Sequence, residues 1–305
     1  MPLKRLYNKN YKTLLILPFL LLIFAIAQIS MQTVSTGDFV NKGVSLKGGL
    51  TITLNYKATG IQRVDIASLE SSLQSDFPRA DALIREQSEL GEATGILIDA
   101  AIEDTEEIES FKSALLEKIP SLKKEDLDNN VAAIGSSLGE AFFKQTFRAI
   151  IIAFILMGIV VFIYFRVPIP SIAVILAAFS DMLITVAIFN LTGLKLSTGG
   201  IAAFLMLIGY SVDTNILLST RVLKRKEGSI FDRVLTALKT GLMMSITTLI
   251  ALTVGVIFSI SAELKQIMII LIIGLLVDMV NTWIQNAGIL RWYMEKKHKG
   301  IFHNE

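Results

Sequence analysis

The run Ala149–Phe165, AIIIAFILMGIVVFIYF, contains no charged side chain and is bounded by Arg148 and Arg166. In lipid, each backbone N–H and C=O must find its partner inside the segment, so such a run folds as a helix. At about 1.5 Å per residue it approaches the ~30 Å hydrocarbon core of a bilayer. Five further apolar runs follow from the same reading, three of them interrupted by one aspartate: Thr13–Gly37, Pro170–Leu191, Gly200–Thr220, Gly241–Ser261 and Gln266–Leu290. Together they raise the apolar share to 52% and the mean hydropathy to +0.60, above the range of an ordinary soluble domain. The chain reads as an α-helical polytopic membrane protein with six transmembrane helices.

Charge divides the chain in two. Residues 31–140 carry 10 Lys/Arg and 19 Asp/Glu, a balance of −9, whereas the remainder carries 19 and 8, a balance of +11. The basic residues gather before the first span (Lys4, Arg5, Lys9, Lys12), at Arg166, along Arg221–Lys226 and at Arg291–Lys299; the intervening short loops hold only Lys195 and Lys265. The positive-inside rule then predicts a multi-pass protein of the cell membrane with both termini cytoplasmic and the acidic segment outside. Ala25-Ile26-Ala27 fits a signal-peptide cleavage site, but apolar character continues past it, which favours an uncleaved anchor. The expected organisation is a cytoplasmic N-terminus and first helix over 1–37, an outer domain over 38–142, a five-helix domain over 143–292 and a basic tail over 293–305. Ser229–Thr240 reads equally as an amphipathic surface helix or as an extension of span five.

Within the outer segment, Leu50–Tyr56 alternates as a strand, and Asp65–Phe77 has helical spacing. Asp81–Gln87 and Gly95–Ile102 read as strands joined around Gly91, Thr105–Ile119 as a helix capped by Thr105, and Val131–Ile134 as a last strand. The order β-α-β-β-α-β predicts an extracytoplasmic α+β domain of ferredoxin-like form between helices 1 and 2. It shows no catalytic constellation. The chain has no cysteine, which excludes thiol chemistry and Cys-based metal sites, and its two histidines lie in the basic tail. No cofactor, metal or catalytic residue is expected. The acid-rich outer surface suits solvation, with a cradle for extended polypeptide as the sharper alternative.

Three aspartates interrupt apolar spans: Asp181, Asp213 and Asp278. A mid-membrane carboxylate costs ~2.5–3.5 kcal/mol on insertion scales, so it commonly faces the bundle and has a use. Asp213 is the foremost candidate, as a proton relay. Gly209, one turn before it, is expected to admit a neighbouring helix. Gly274, Asp278, Asn281 and Gln285 form a stripe on span six, and Gly241, Ser245, Thr248, Ala251 and Gly255 a stripe of small residues on span five. Asp278, Asp181, Asn215, Asn281, Gln285, Ser245 and Thr248 are therefore the expected relay or helix-packing partners of Asp213. A plain hydrogen-bonded carboxyl that helps helices pack is the blander reading. No Lys or Arg stands mid-span as a counter-charge.

One span, an outer domain and five more spans resembles half of a resistance-nodulation-division transporter. Gly43-Val-Ser-Leu46-Lys-Gly48-Gly49 resembles the G-x-D/E-Φ-x-G-G signature (Φ apolar) of the SecD/SecF protein-export family, with Ser45 in place of the acid. Val212-Asp213-Thr-Asn-Ile-Leu217 with Arg221, and Ser245-Ile-Thr-Thr-Leu249, resemble that family's fourth- and fifth-span motifs. The small outer domain is similar to that of the archaeal SecF branch. The resemblance implies assistance to polypeptide export through a SecY-type channel, with a SecD-like subunit, the translocating polypeptide and membrane lipids as partners. It implies use of the proton gradient, with Asp213 as relay. Bacterial relatives carry an arginine just before the S-L-T-T run, where this chain has Lys239-Thr240.

Three other readings remain. A proton-coupled exporter of lipid or small solutes of the same superfamily would need a larger outer region. An intramembrane aspartyl protease would need two aspartates on facing spans and a G-x-G-D motif, which Gly209–Asp213 does not supply. A passive scaffold accounts for the helices but not for the aspartates.

Overall fold

The computed structural model describes residues 10–89, 92–225 and 227–301. Six helices are long and apolar enough to cross a membrane: Asn10–Thr36, Ser136–Phe165, Pro168–Leu191, Thr198–Lys224, Ile230–Phe258 and Ala262–Lys297. We call α1 Ile16–Thr36, α2 and α3 the two sheet-domain helices Ile66–Asp76 and Thr105–Lys118, α4 Ser136–Phe165, α5 Pro168–Leu191, α6 Thr198–Lys224, α7 Ile230–Phe258 and α8 Ala262–Val280. The sixth span continues through a π-helical turn, Asn281–Asn286, into α9, Ala287–Ile301.

α5, α6 and α8 pack mutually at the centre; α1 lies on α5, α4 against α5 and α6, and α7 against α6 and α8. The most apolar stretches of the second, fifth and first spans are only 6%, 11% and 11% buried, against 61%, 50% and 50% for the three central ones. Leu, Ile, Val and Phe on the outer helices therefore face the bilayer, as the exposed Ile152, Ile155, Ile159 and Ile163 of α4 do.

Start signals are local. Pro168 sits in the first turn of α5, where its missing N–H costs nothing, and Ser197 and Ser261 cap α6 and α8 through their hydroxyls. Ser229 and Asp232 form a reciprocal capping box that opens α7. The Ser229–Thr240 segment is accordingly a continuous extension of span five, not a separate surface helix. α4 begins at Ser136, well before the apolar run at Ala149, so its first turns carry the exposed Glu140–Lys144 pair.

The segment between α1 and α4 forms a four-stranded sheet of β1 (Gly49–Asn55), β2 (Leu83–Glu89), β3 (Glu92–Ala100) and β4 (Val131–Ile134), ordered β2-β3-β1-β4 and antiparallel throughout. Leu50, Ile52 and Leu54 alternate inward and meet Ile96 and Ile98 across the register, and Leu69, Leu73, Phe111 and Leu115 of α2 and α3 seal that face. β4 has the limits expected from sequence, β1 is shifted by one residue, and β2 and β3 differ by two or three; the turn around Gly91 lies outside the described residues. The cap of α3 is Asp104, not Thr105. Asp104 has the extended backbone of an N-cap and its carboxylate accepts from Glu107 N–H at 3.3 Å.

Gly48 and Gly49, at φ 96° and 130°, turn the chain from the short helix Val44–Lys47 into β1. A Cβ on Gly48 would lie 2.4 Å from Ser136 Cα, and one on Gly49 2.4 Å from Ala100 O, so only glycine permits this approach. Gly43 N–H donates to Leu196 O at 2.8 Å, and Leu46 is buried at 1% exposure in the same apolar cluster as Val40, Leu196 and Ile201. Lys195 Nζ contacts Asp81 O and Oδ2, both at 2.8 Å, and Lys265 Nζ donates to Ser88 O at 2.9 Å and to its hydroxyl at 2.8 Å. Both lysines of the short loops at this end of the bundle thus tie the sheet to the helices.

Candidate functional site

α6 carries polar residues on two opposite sides. Ser211, Thr214, Asn215 and Ser219 recur at i, i+3, i+4 and i+8, one face of a helix, and each is at most 5% exposed. Asp213 sits about 200° around the axis from Ser211. It is exposed, as is Gly209 one turn earlier, where an added Cβ would meet nothing within 4 Å. The expectation that Asp213 points into the bundle is therefore corrected: the inward face was already taken by the Ser-Thr-Asn stripe, and helical geometry turns residue 213 away from it.

The bundle interior holds the other two aspartates. Asp181 of α5 and Asp278 of α8 are both 0% exposed and are enclosed by hydroxyl and amide groups of α6 and of the π turn. Ser211 Oγ donates to Asp181 Oδ2 at 2.6 Å and Asn281 Nδ2 to Asp181 Oδ1 at 2.7 Å. Thr282 Oγ1 donates to Asp278 Oδ1 at 2.8 Å, and Thr214 Oγ1 lies 3.0–3.1 Å from both Asp278 oxygens. The network extends to Asn215, whose Oδ1 accepts from Asn286 Nδ2 at 2.5 Å, and to Gln285, whose Nε2 donates to Ser180 Oγ at 3.2 Å. The π turn brings Asn281, Thr282, Gln285 and Asn286 all inward, each at 0% exposure; such turns recur at functional sites.

Of the residues singled out from sequence, Asp181, Asn215, Asp278, Asn281 and Gln285 lie in this cluster. Ser245 is buried without a hydrogen-bond partner among the described residues, and Thr248 donates to Met244 O of its own helix at 3.0 Å. The small stripe on α7 serves packing: a Cβ on Gly241 would strike Trp283 at 2.2 Å, and one on Gly255 would strike Met268 Sδ at 2.3 Å. Ser180, Ser211, Thr214, Thr282 and Asn286 were not singled out, although the i, i+3, i+4 spacing of the α6 stripe carried the signal.

A second feature lies outside the bundle. The open face of the sheet, with Thr51, Thr53, Arg85 and Asp99, closes against the loops around Lys195 and Ser261 to leave a groove of about 450 Å³. Arg85 pairs with Asp99, which also accepts from the Thr51 hydroxyl at 2.8 Å.

Comparison with known proteins places this architecture. A model of the C-terminal domain of protein export membrane proteins SecD/SecF matches residues 115–296. The chain is 41% identical over 296 residues to the protein-export membrane protein SecF of Pyrococcus furiosus, covering 97% of this chain and 95% of that one. It is 39% identical over 291 residues to SecF of Methanolacinia petrolearia, covering 94% and 95%. The crystal structure of SecDF from Thermus thermophilus, described as a translocon-associated membrane protein, superposes with a TM-score of 0.71 at 19% identity. That match covers 95% of this chain but 41% of the SecDF chain, so the present six-span unit spans less than half of that longer protein. A multi-pass membrane bundle with this sequence kinship belongs to the SecD/SecF family of protein-export membrane proteins.

Proposed function

We propose that the chain is an auxiliary subunit of the Sec protein translocation machinery, acting with a SecD-like subunit beside a SecY-type channel to promote polypeptide export with the ion gradient. One observation carries the pairing: Asp213 and the bare Gly209 lie together on an uncovered face of α6 within the membrane. A carboxylate there costs ~2.5–3.5 kcal/mol in lipid, so a second subunit is its natural cover. The chain's coverage of under half of the SecDF chain supports a partner of comparable size. Asp213, at that seam, serves as the proton relay, and the group that faces it comes from the partner.

In this reading both termini are cytoplasmic, and residues 38–142 form an extracytoplasmic ferredoxin-like domain, a reading that the β2-β3-β1-β4 order supports. The polar groove beneath its sheet is the cradle for emerging polypeptide. The facing Asp181–Asp278 pair gives the protease reading one of its requirements. However, both carboxyls are 0% exposed and already bonded to neighbouring hydroxyls and amides, which leaves no room for a scissile peptide and water.

The test is Asp213→Asn in the full complex. Insertion and co-purification with the SecY-type channel are expected to persist, while gradient-dependent export is lost. Full export by that variant would sink the assignment.

A further inference from the structure

A cavity separate from the aspartate cluster and from the groove under the sheet lies where Phe39 and Val40 meet α4, α5 and α6. It measures about 60 Å³ and sits at the end of the bundle that carries the sheet. The buried Val186, Ile201 and Phe204 form its floor, and the more exposed rings of Phe39, Phe143 and Phe147 form its mouth. Every side chain around it is apolar. An ordered water needs two to four polar partners, so the natural occupant is hydrocarbon.

The mouth opens toward lipid. Phe39 lies 5.8 Å from Phe143 and 5.3 Å from Phe147, ring centre to ring centre, in tilted contacts that leave the Phe147 ring 39% exposed. The exposed Ile151 and Ile155 follow Phe147 at i+4 and i+8, so an apolar track leads from the cavity down α4 into the bilayer. A cavity of this size admits only a few carbons; the track carries the rest of a chain.

Charge around the mouth is a second, independent observation. Lys42 Nζ stands 4.3 Å from the centre of the Phe143 ring, and the exposed Lys144 and Arg148 each follow one of the two α4 rings in sequence. Asp38 pairs with Lys42 at 2.5 Å and lies 3.9 Å from Lys47 Nζ, and Glu140 pairs with Lys144 at 2.6 Å. Arg148 has no acidic partner among the described residues. Four basic groups against two acids leave an excess of positive charge at the head of an apolar track. An apolar chain that carries an anionic head complements both features.

We propose that this cavity is a binding site for one anionic phospholipid, whose acyl chain enters between Phe39, Phe143 and Phe147 and whose phosphate meets Arg148 and Lys144. A zwitterionic phospholipid brings the same chain but no net charge to answer the basic excess. The bound lipid fastens the stretch between α1 and the sheet to α4.

Native mass spectrometry of the full-length chain in detergent provides the test, with dioleoyl phosphatidylglycerol and dioleoyl phosphatidylcholine as probes and the thermal midpoint as a second readout. About one phosphatidylglycerol per chain is expected to stay bound under activation that strips phosphatidylcholine, and the midpoint rises with phosphatidylglycerol concentration. Val186→Phe, which puts a ring into the cavity, abolishes retention. Should that variant fail to fold, Phe147→Ala, which removes an exposed ring from the mouth, decides the matter by weakening retention. Arg148→Gln lowers phosphatidylglycerol retention about fivefold, the effect of one basic group beside a phosphate, and leaves the midpoint in lipid-free detergent unchanged. Equal retention of the two lipids overturns the proposal, as does retention undiminished by Phe147→Ala or by Arg148→Gln. A photoreactive benzophenone at position 147 is expected to capture phospholipid in native membranes; capture of a polypeptide in its place would overturn the assignment.

Discussion

At position 241 nothing larger than hydrogen separates the α7 backbone from the Trp283 ring, since a Cβ there would lie 2.2 Å from Cζ2 and 2.8 Å from Cη2. Trp283 is 4% exposed and wedged within the π turn, so it has no free space to retreat into. Gly241→Val is expected to cost about 1–3 kcal/mol through overpacking, read as a lowered thermal midpoint of the purified chain. An unchanged midpoint would mean that α7 stands further from the π turn than described. The glycine was legible in sequence as part of a small-residue stripe; its contact was not, because spacing identifies a face without naming what covers it. The same limit explains Asp213. Rarity of a mid-span carboxylate marked it, but direction depended on the faces of Ser211, Thr214 and Asn215, which are individually unremarkable polar residues. Asp181 and Asp278 could be read as buried, yet nothing in the one-dimensional pattern brings α5 and α8 to one point.

At the scale of elements, the sheet domain between α1 and α4 is held by a mixture of apolar burial and a few ion pairs. Lys112 on α3 reaches both Glu109 of its own helix and Asp128 of the short helix Lys124–Asn129, each at 3.0 Å. Hydrogen bonds to Asp128 and then Glu109 raise its pKa above the ordinary 10.5. A group whose folded pKa is raised stabilises fully below its unfolded pKa and loses that contribution as pH rises through the folded value. The difference in stability between the native chain and Lys112→Met is therefore expected to be flat across neutral pH, at about 0.2–1 kcal/mol for so exposed a set of partners, and to shrink above pH ~10.5. Chemical denaturation at several alkaline pH values measures it; a difference that grows with pH contradicts the arrangement. Helices and strands of this domain were readable to within a few residues because alternation and capping are local signals. The docking of the whole domain was not, since it rests on Lys195 and Lys265, whose partners Asp81 and Ser88 lie more than a hundred residues away in the chain.

Over the whole molecule, surface chemistry separates two kinds of exposed membrane face. On α4 and α7 the exposed side chains are large and apolar, such as Ile152, Ile155, Ile159, Ile250, Val254 and Ile257, as lipid contact requires. On α6 the exposed strip runs through Ala202, Met206, Gly209 and Asp213, so its second half replaces large apolar side chains with a glycine and a carboxylate. Small residues let helix backbones approach closely, which is the way helices associate where lipid tails compete for apolar surface. Gly209→Leu discriminates the two kinds of face. With nothing within 4 Å of an added Cβ, the larger side chain has no clash inside this chain, so the thermal midpoint of the purified subunit is expected to hold. In the complex it would meet the partner's helix and cost about 1–3 kcal/mol, lowering recovery of a SecD-like subunit in co-purification on the order of tenfold. A lipid-facing control, Ile155→Leu, should leave recovery unchanged. Undiminished pairing by Gly209→Leu would show that the α6 strip meets lipid after all, and the cover for Asp213 would then have to be sought in bound lipid rather than in a second subunit.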